Sequence, residues 1–166
     1  TEDFTESSLI EVKAVDDLYP LFGVLETNSN LPREELLAFK DGHWGAVPLE
    51  AIATRLGVDI GDKINIGSLV YEVRGVTAKE PDSSNAGFQL APSILVSSNS
   101  MEDTGLITFG SLVEYNYRLR LADGTDAKLY EETIEEAFPG SDWRVRNKSS
   151  GGGSAQRFID RMGQFM

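Results

Sequence analysis

The chain has one histidine, His43, and no cysteine, which bounds its chemistry early. Zinc sites draw on Cys and His, so a zinc site of the usual kind is nearly excluded. A Ser-His-Asp triad would have to use His43. That residue follows Asp41 and Gly42 in a turn-like segment, and no G-x-S-x-G elbow is present. An exposed turn histidine is the simpler reading. The glycines form neither a dinucleotide fingerprint nor a phosphate loop. Asp82, Ser83, Ser84, Asn85 and Gly87 faintly resemble a calcium loop, but the later Glu and the needed carboxylates are missing, so the stretch reads as a solvated loop. Glu131, Glu132, Glu135 and Glu136 read as the wet face of a helix. Paired carboxylates for glycoside chemistry meet only in the fold, and their spacing leaves that option open. Arg118 and Arg120 could bind an anion, though surface ion pairing is the commoner role. These residues supply almost no catalytic apparatus, and no cofactor is called for.

The elements that would carry these residues follow from periodicity. LIEVKAVD at 8–15 alternates as a strand. Tyr19 and Pro20 restart the chain in extended form, LFGVLE continues it, and 27–33 is loop. LLAFK and HWGAV flank Asp41 and Gly42, a hairpin signal. Pro48 opens a short amphipathic helix, LEAIATRL, that ends at Gly57. Residues 58–79 hold two or three strands with turns at Gly61 and Gly67, and APSILVSS is another strand. In SLVEYNYRLRL, Val113, Tyr115, Tyr117, Leu119 and Leu121 alternate strictly with polar residues, predicting a strand with one wet face. DAKLYEETIEEAF follows as a helix with Ala127, Tyr130, Ile134, Ala137 and Phe138 on one side, ended by Pro139 and Gly140. Trp143 and Val145 begin a final strand. After a glycine joint at 151–153, apolar residues recur at helical spacing to Met166.

The fold class read from this pattern is α+β, in two lobes. Residues 1–35 and 98–148 form an outer split α/β lobe, 36–97 an inserted, mostly β lobe, and 149–166 a joint with the start of a helix. That helix either docks on its own core or runs on as a stalk. With 166 residues the chain can bury roughly 70% of its unfolded surface without disulfide or metal. Its hydrophobic fraction of 40% is globular rather than disordered. A net charge of −12 argues against nucleic acid, whose phosphates need clustered Lys and Arg, and weakly against anionic membrane surfaces. No run of about 18 apolar residues is present to cross a membrane.

Five stretches in order, LIEVKAVDDLYPLFG, VPLEAIATRLGVDIGDKINIG, YEVRGVTAKEPD, APSILVSSNSMEDTGLITFGSLVEYNYRL and RFIDRMGQFM, carry a resemblance over nearly the whole chain. Together they resemble the extracytoplasmic, MacB-like domain of ABC-transporter permeases of the FtsX/LolC/MacB type, closest to the YbbP-like branch. The resemblance implies a porter-like split α/β lobe with an inserted smaller Sabre-like lobe, ending in a stalk helix. It implies a non-catalytic periplasmic domain of a bacterial inner-membrane protein, which couples ATP hydrolysis in a separate cytosolic ATPase to movement outside the membrane. The implied partners are that ATPase, a second permease copy or homologue, and a periplasmic protein or lipidic cargo such as a lipoprotein or hydrophobic compound. Phe158, Ile159, Met162 and Phe165 become the stalk interface. Only TEDFTESS precedes the first strand, which implies a trimmed piece whose strand edge is open to a second copy. SSGGGS is either native loop or an engineered joint. A stand-alone periplasmic module for an apolar ligand or protein partner is the alternative.

Overall fold

In the computed structural model, residues 10–81 and 92–145 are described. The alternating stretches of the first two thirds become one six-stranded mixed sheet. Its strands are β1 (Glu11–Val15), β2 (Phe39–Lys40), β3 (His43–Pro48), β4 (Lys63–Ile66), β5 (Leu69–Val73) and β6 (Ser93–Ser97). The order is β1-β6-β3-β5-β4, with β2 added beside β3. β1 runs parallel to β6 with Glu11 opposite Ser93, and β3 runs antiparallel to β6 with Ala46 opposite Val96. β5 is parallel to β3 and antiparallel to β4. One sheet thus draws β1 from the 1–35 stretch and its other strands from 36–97.

Both faces of the central strands are buried, so β3 and β6 are apolar almost throughout. One face gathers Ala46, Ile64, Ile66, Tyr71, Val73, Ile94 and Val96 under Ile52 of α2 (Glu50–Leu56). The other gathers Val15, Val47 and Leu95 under Leu36 of α1 (Arg33–Leu36). Gly57 closes α2 with a left-handed φ of 62°, while Gly57 N–H reaches Thr54 O and Val58 N–H reaches Ala53 O, a Schellman end. The hairpin between β2 and β3 turns on Asp41 (φ 54°) and Gly42 (φ 83°), both positive as a type I′ turn demands.

Several boundaries differ from the sequence expectation. Pro48 does not open α2; it ends β3, opposite Ile94, and Leu49 is the N-cap. LLAFK yields a helical turn and a two-residue strand, because Leu36 is needed as a core plug rather than as a ladder residue. Gly45 explains the close fit, since a Cβ there would lie 2.0 Å from the Leu36 carbonyl oxygen. LFGVLE does not extend the first strand. The strand expected at 113–121 does not form among the described residues, and Tyr115, Tyr117 and Leu119 stand exposed. Alternation marks a face, but a strand exists only when a neighbour supplies ladder bonds.

The chain divides into two compact units, Thr1–Asn116 and Tyr117–Met166. The first holds the sheet, followed by 3-10 turns at Ser98–Ser100 and Glu102–Thr104. The second, as described, holds α3 (Ala127–Ala137), capped where the Asp126 carboxylate accepts from Lys128 and Leu129 N–H at 2.8 and 3.3 Å. No residue of α3 is buried, and Phe138 packs on Trp143 with ring centroids 4.8 Å apart.

Candidate functional site

The polar groups that the sheet unit buries serve as ties. Arg74, at the end of β5, is only 4% exposed. Its Nε donates to Glu72 Oε2 at 2.8 Å. Nη1 donates to the Glu35 and Ala38 carbonyls, and Nη2 to those of Lys40 and His43, at 2.7–3.1 Å. A single guanidinium therefore fastens α1 and the β2–β3 hairpin to the sheet, using all five of its donors. At the β1 side, Glu80 is 3% exposed and accepts from both Lys13 Nζ and Ser93 Oγ, binding the segment after β5 to β1 and β6. Lys13 also lies over the Tyr19 ring, 5.2 Å from its centroid.

Tyr71 is fully enclosed; its hydroxyl donates to Ser100 Oγ at 2.7 Å, and Ser100 donates on to Ser97 O at 2.6 Å. Burial pushes the Tyr71 phenol above its usual value, against the Ser100 contact that lowers it. The folded state therefore holds the proton where the unfolded chain releases it. The stabilisation is complete below pH about 10 and is lost as pH rises beyond that. Tyr71→Phe should cost about 1 kcal/mol at neutral pH and flatten the loss of stability above pH about 10. Urea titrations at pH 8 and pH 10.5 would check both; equal slopes in the two proteins would refute the account of Tyr71.

The surface also places apolar groups just ahead of the stretch where the sequence suggested a strand. From Thr104 to Val113 the chain carries no charge. Within it, Thr108, Phe109, Gly110 and Ser111 form a turn: Ser111 N–H reaches Thr108 O at 3.0 Å, and Gly110 has φ 90°. Ser111 Oγ pins the turn by accepting from Thr108 N–H and donating to Leu106 O at 2.8 Å. Phe109 and Leu112 are fully exposed, and Leu106, Ile107 and Val113 partly so. This ordered turn can bury apolar area against a partner.

The candidates for chemistry stay apart. The His43 ring meets Lys63 Nζ at 2.8 Å, a cation and neither a nucleophilic hydroxyl nor an orienting carboxylate. Glu132, Glu135 and Glu136 are exposed on α3, and Glu132 faces Lys128 at 3.6 Å. Among the described residues no group of three His, Cys, Asp or Glu could hold a metal ion. An open cleft of about 560 Å³ lies between the 26–28 loop, α2 and Val76; Glu26, Glu50 and Asp59 line it. The calcium-like loop at 82–87 and the stalk candidates Phe158, Ile159, Met162 and Phe165 lie outside the described residues. Sequence reasoning missed Arg74 and Glu80 as ties. Neither had a local signal: Arg74 shares its face of β5 with the charged Glu72, and Glu80 lies well beyond the strand.

Among the described residues the sheet unit presents an ordered apolar turn, and the groups considered for chemistry do not meet. Comparison with known proteins finds the chain similar to an ABC transporter permease, and the YbbP-like resemblance read in the sequence holds. The relative is the uncharacterized ABC transporter permease YbbP of Escherichia coli strain K12, 28% identical over 161 residues. The match covers 95% of this chain and 18% of that permease. No protein-family model and no solved structure matches the chain. Among the described residues no helix is long and apolar enough to cross a membrane.

Proposed function

We propose that this chain is a non-catalytic, extracytoplasmic domain of an ABC transporter permease, MacB-like in plan and facing the periplasm. A separate cytosolic ATPase would hydrolyse ATP, and the membrane part would pass the resulting movement to this domain. The observation that carries the reading is the spread of the likeness: 95% of the chain aligns with one segment of a permease. The sheet unit would then work as a stiff body. The sheet, cross-tied by Arg74 and Glu80, supports that role, because a lever must move without deforming. In this reading 36–97 is the Sabre-like lobe, 1–35 and 98–148 the porter-like lobe, and β1 the strand tying the first to the second. Residues 149–166 would be the joint and stalk, with Phe158, Ile159, Met162 and Phe165 packing on a partner stalk of a second permease copy. The uncharged run from Thr104 to Val113 supports an apolar partner or cargo, a lipoprotein or other hydrophobic molecule.

Sidedness is the test. The chain has no cysteine, so Phe109→Cys introduces a unique exposed thiol here. In the intact permease, freed of other thiols, a membrane-impermeant maleimide should label it in cells whose outer membrane alone is opened. Labelling that requires rupture of the inner membrane would overturn the placement.

A further inference from the structure

The cleft between the 26–28 loop, α2 and Val76 has an apolar floor and a charged rim. Ala53 is buried and Val58 and Val76 half-buried beneath it, while Glu26, Glu50 and Asp59 are exposed around it. Each carboxylate stands on a tied backbone. Thr77 Oγ1 donates to Glu26 O at 2.8 Å, Glu50 N–H to Thr77 O at 2.9 Å, and Asp59 N–H to the Asp62 carboxylate at 2.7 Å. Asn28 Oδ1 accepts from Val76 N–H at 2.7 Å, which holds the loop to the segment after β5. The walls are therefore set before a ligand arrives, and binding costs little ordering entropy.

Charge selects the occupant. No Lys or Arg lines the cleft, and among the described residues no ion pair neutralises any of the three carboxylates. Residues 1–116 hold nineteen Asp and Glu against seven Lys and Arg, whereas residues 117–166 hold eight of each. The whole net charge of −12 thus belongs to the sheet unit, and stretches 1–9 and 82–91 contain no Lys or Arg to offset it. An acidic surface draws cations, and a cleft concentrates that field. Among the described residues no three carboxylates are close enough to share a metal ion. The matching ligand carries positive charges that are spread apart, with apolar surface between them. We propose that this cleft is a docking site for a basic segment of a protein partner. Short apolar side chains of the segment lie on Ala53, Val58 and Val76, and Lys or Arg on either side meets Glu26, Glu50 and Asp59. At about 560 Å³ and open, the cleft suits a short stretch of chain laid across it. The proposal goes beyond the transporter reading and does not rest on it.

The acetylated and amidated peptide KKAVAKK, titrated into the isotope-labelled chain, tests this. Amide shifts should centre on Thr27, Ala53, Val58 and Val76. Glu26→Gln, Glu50→Gln and Asp59→Asn combined should weaken binding at least about tenfold. Glu11→Gln, Glu34→Gln and Glu102→Gln combined remove the same charge from exposed residues outside the cleft, and should weaken it less than about twofold. KKSSSKK has the same charge and no apolar centre, and should bind at least about threefold more weakly than KKAVAKK. Shifts spread over the surface, equal weakening by the two triple variants, or equal binding of the two peptides would mean a general attraction of cations to an acidic surface. Any of these, or no binding, would overturn the proposal. Should the cleft triple variant fail to fold, Glu26→Gln and Asp59→Asn decide singly. Each should weaken binding about twofold or more, and unchanged binding in both refutes the site. The chain alone is used, so failure leaves the permease reading standing.

Discussion

Arg74→Met should lower the unfolding free energy of this chain by about 3–5 kcal/mol, the cost of breaking a buried charged network. Methionine keeps much of the apolar stem and removes the five donors. Glu35, Ala38, Lys40 and His43 each lose a charge-assisted bond at their carbonyls, and Glu72 loses its cation. The loss concentrates where α1 and the β2–β3 hairpin meet the sheet, so Leu36 should loosen from its pocket beside Val47 and Leu95. Arg74→Lys should recover less than half of the loss, because a lysine has three donors and cannot reproduce the planar fork. Urea unfolding followed by Trp44 fluorescence in a Trp143→Phe background, with an unchanged m-value, would measure it. A loss below about 1 kcal/mol would mean that the carbonyls find other donors and that the clamp is incidental.

That clamp shows where sequence reading stops. Local signals suffice for the strands around Ala46, Tyr71 and Val96, for the Asp41 and Gly42 turn, and for the end of α2 at Gly57. In each, the residues that decide the conformation are neighbours in the chain. Arg74 is decided by four carbonyls 31–39 residues away in sequence, and no local pattern encodes that meeting. Pro48 misleads for a related reason: its fixed φ suits a first helical turn, but its place opposite Ile94 in the ladder prevails. The alternation of Val113, Tyr115, Tyr117 and Leu119 is the opposite case. The local signal is strong, and the described residues give it no strand to pair with.

The candidate site is legible in class only. One histidine and no cysteine remove most catalytic schemes through composition alone, and the fold sets His43 beside Lys63. The apolar turn at Phe109 is not legible, because TGLITFGSLV has the composition of a buried strand. Only the bonds of Ser111 to Thr108 and Leu106 reveal a turn that holds Phe109 in solvent.

The largest functional effect follows from the proposed lever role. If ATP hydrolysis is transmitted to this domain, its height above the bilayer or its tilt must differ between nucleotide states. In that role the sheet would carry helix shifts of about 1–2 Å to its far surface. The measurement that tests this most directly uses the intact permease with its ATPase in lipid, a fluorophore at Phe109→Cys and acceptor lipids in the facing leaflet. Energy transfer should change on ATP binding by an amount equivalent to about 5 Å or more and should return after hydrolysis. Identical transfer in the nucleotide-free, ATP-bound and hydrolysed states, with ATP turnover intact, would contradict the coupling role.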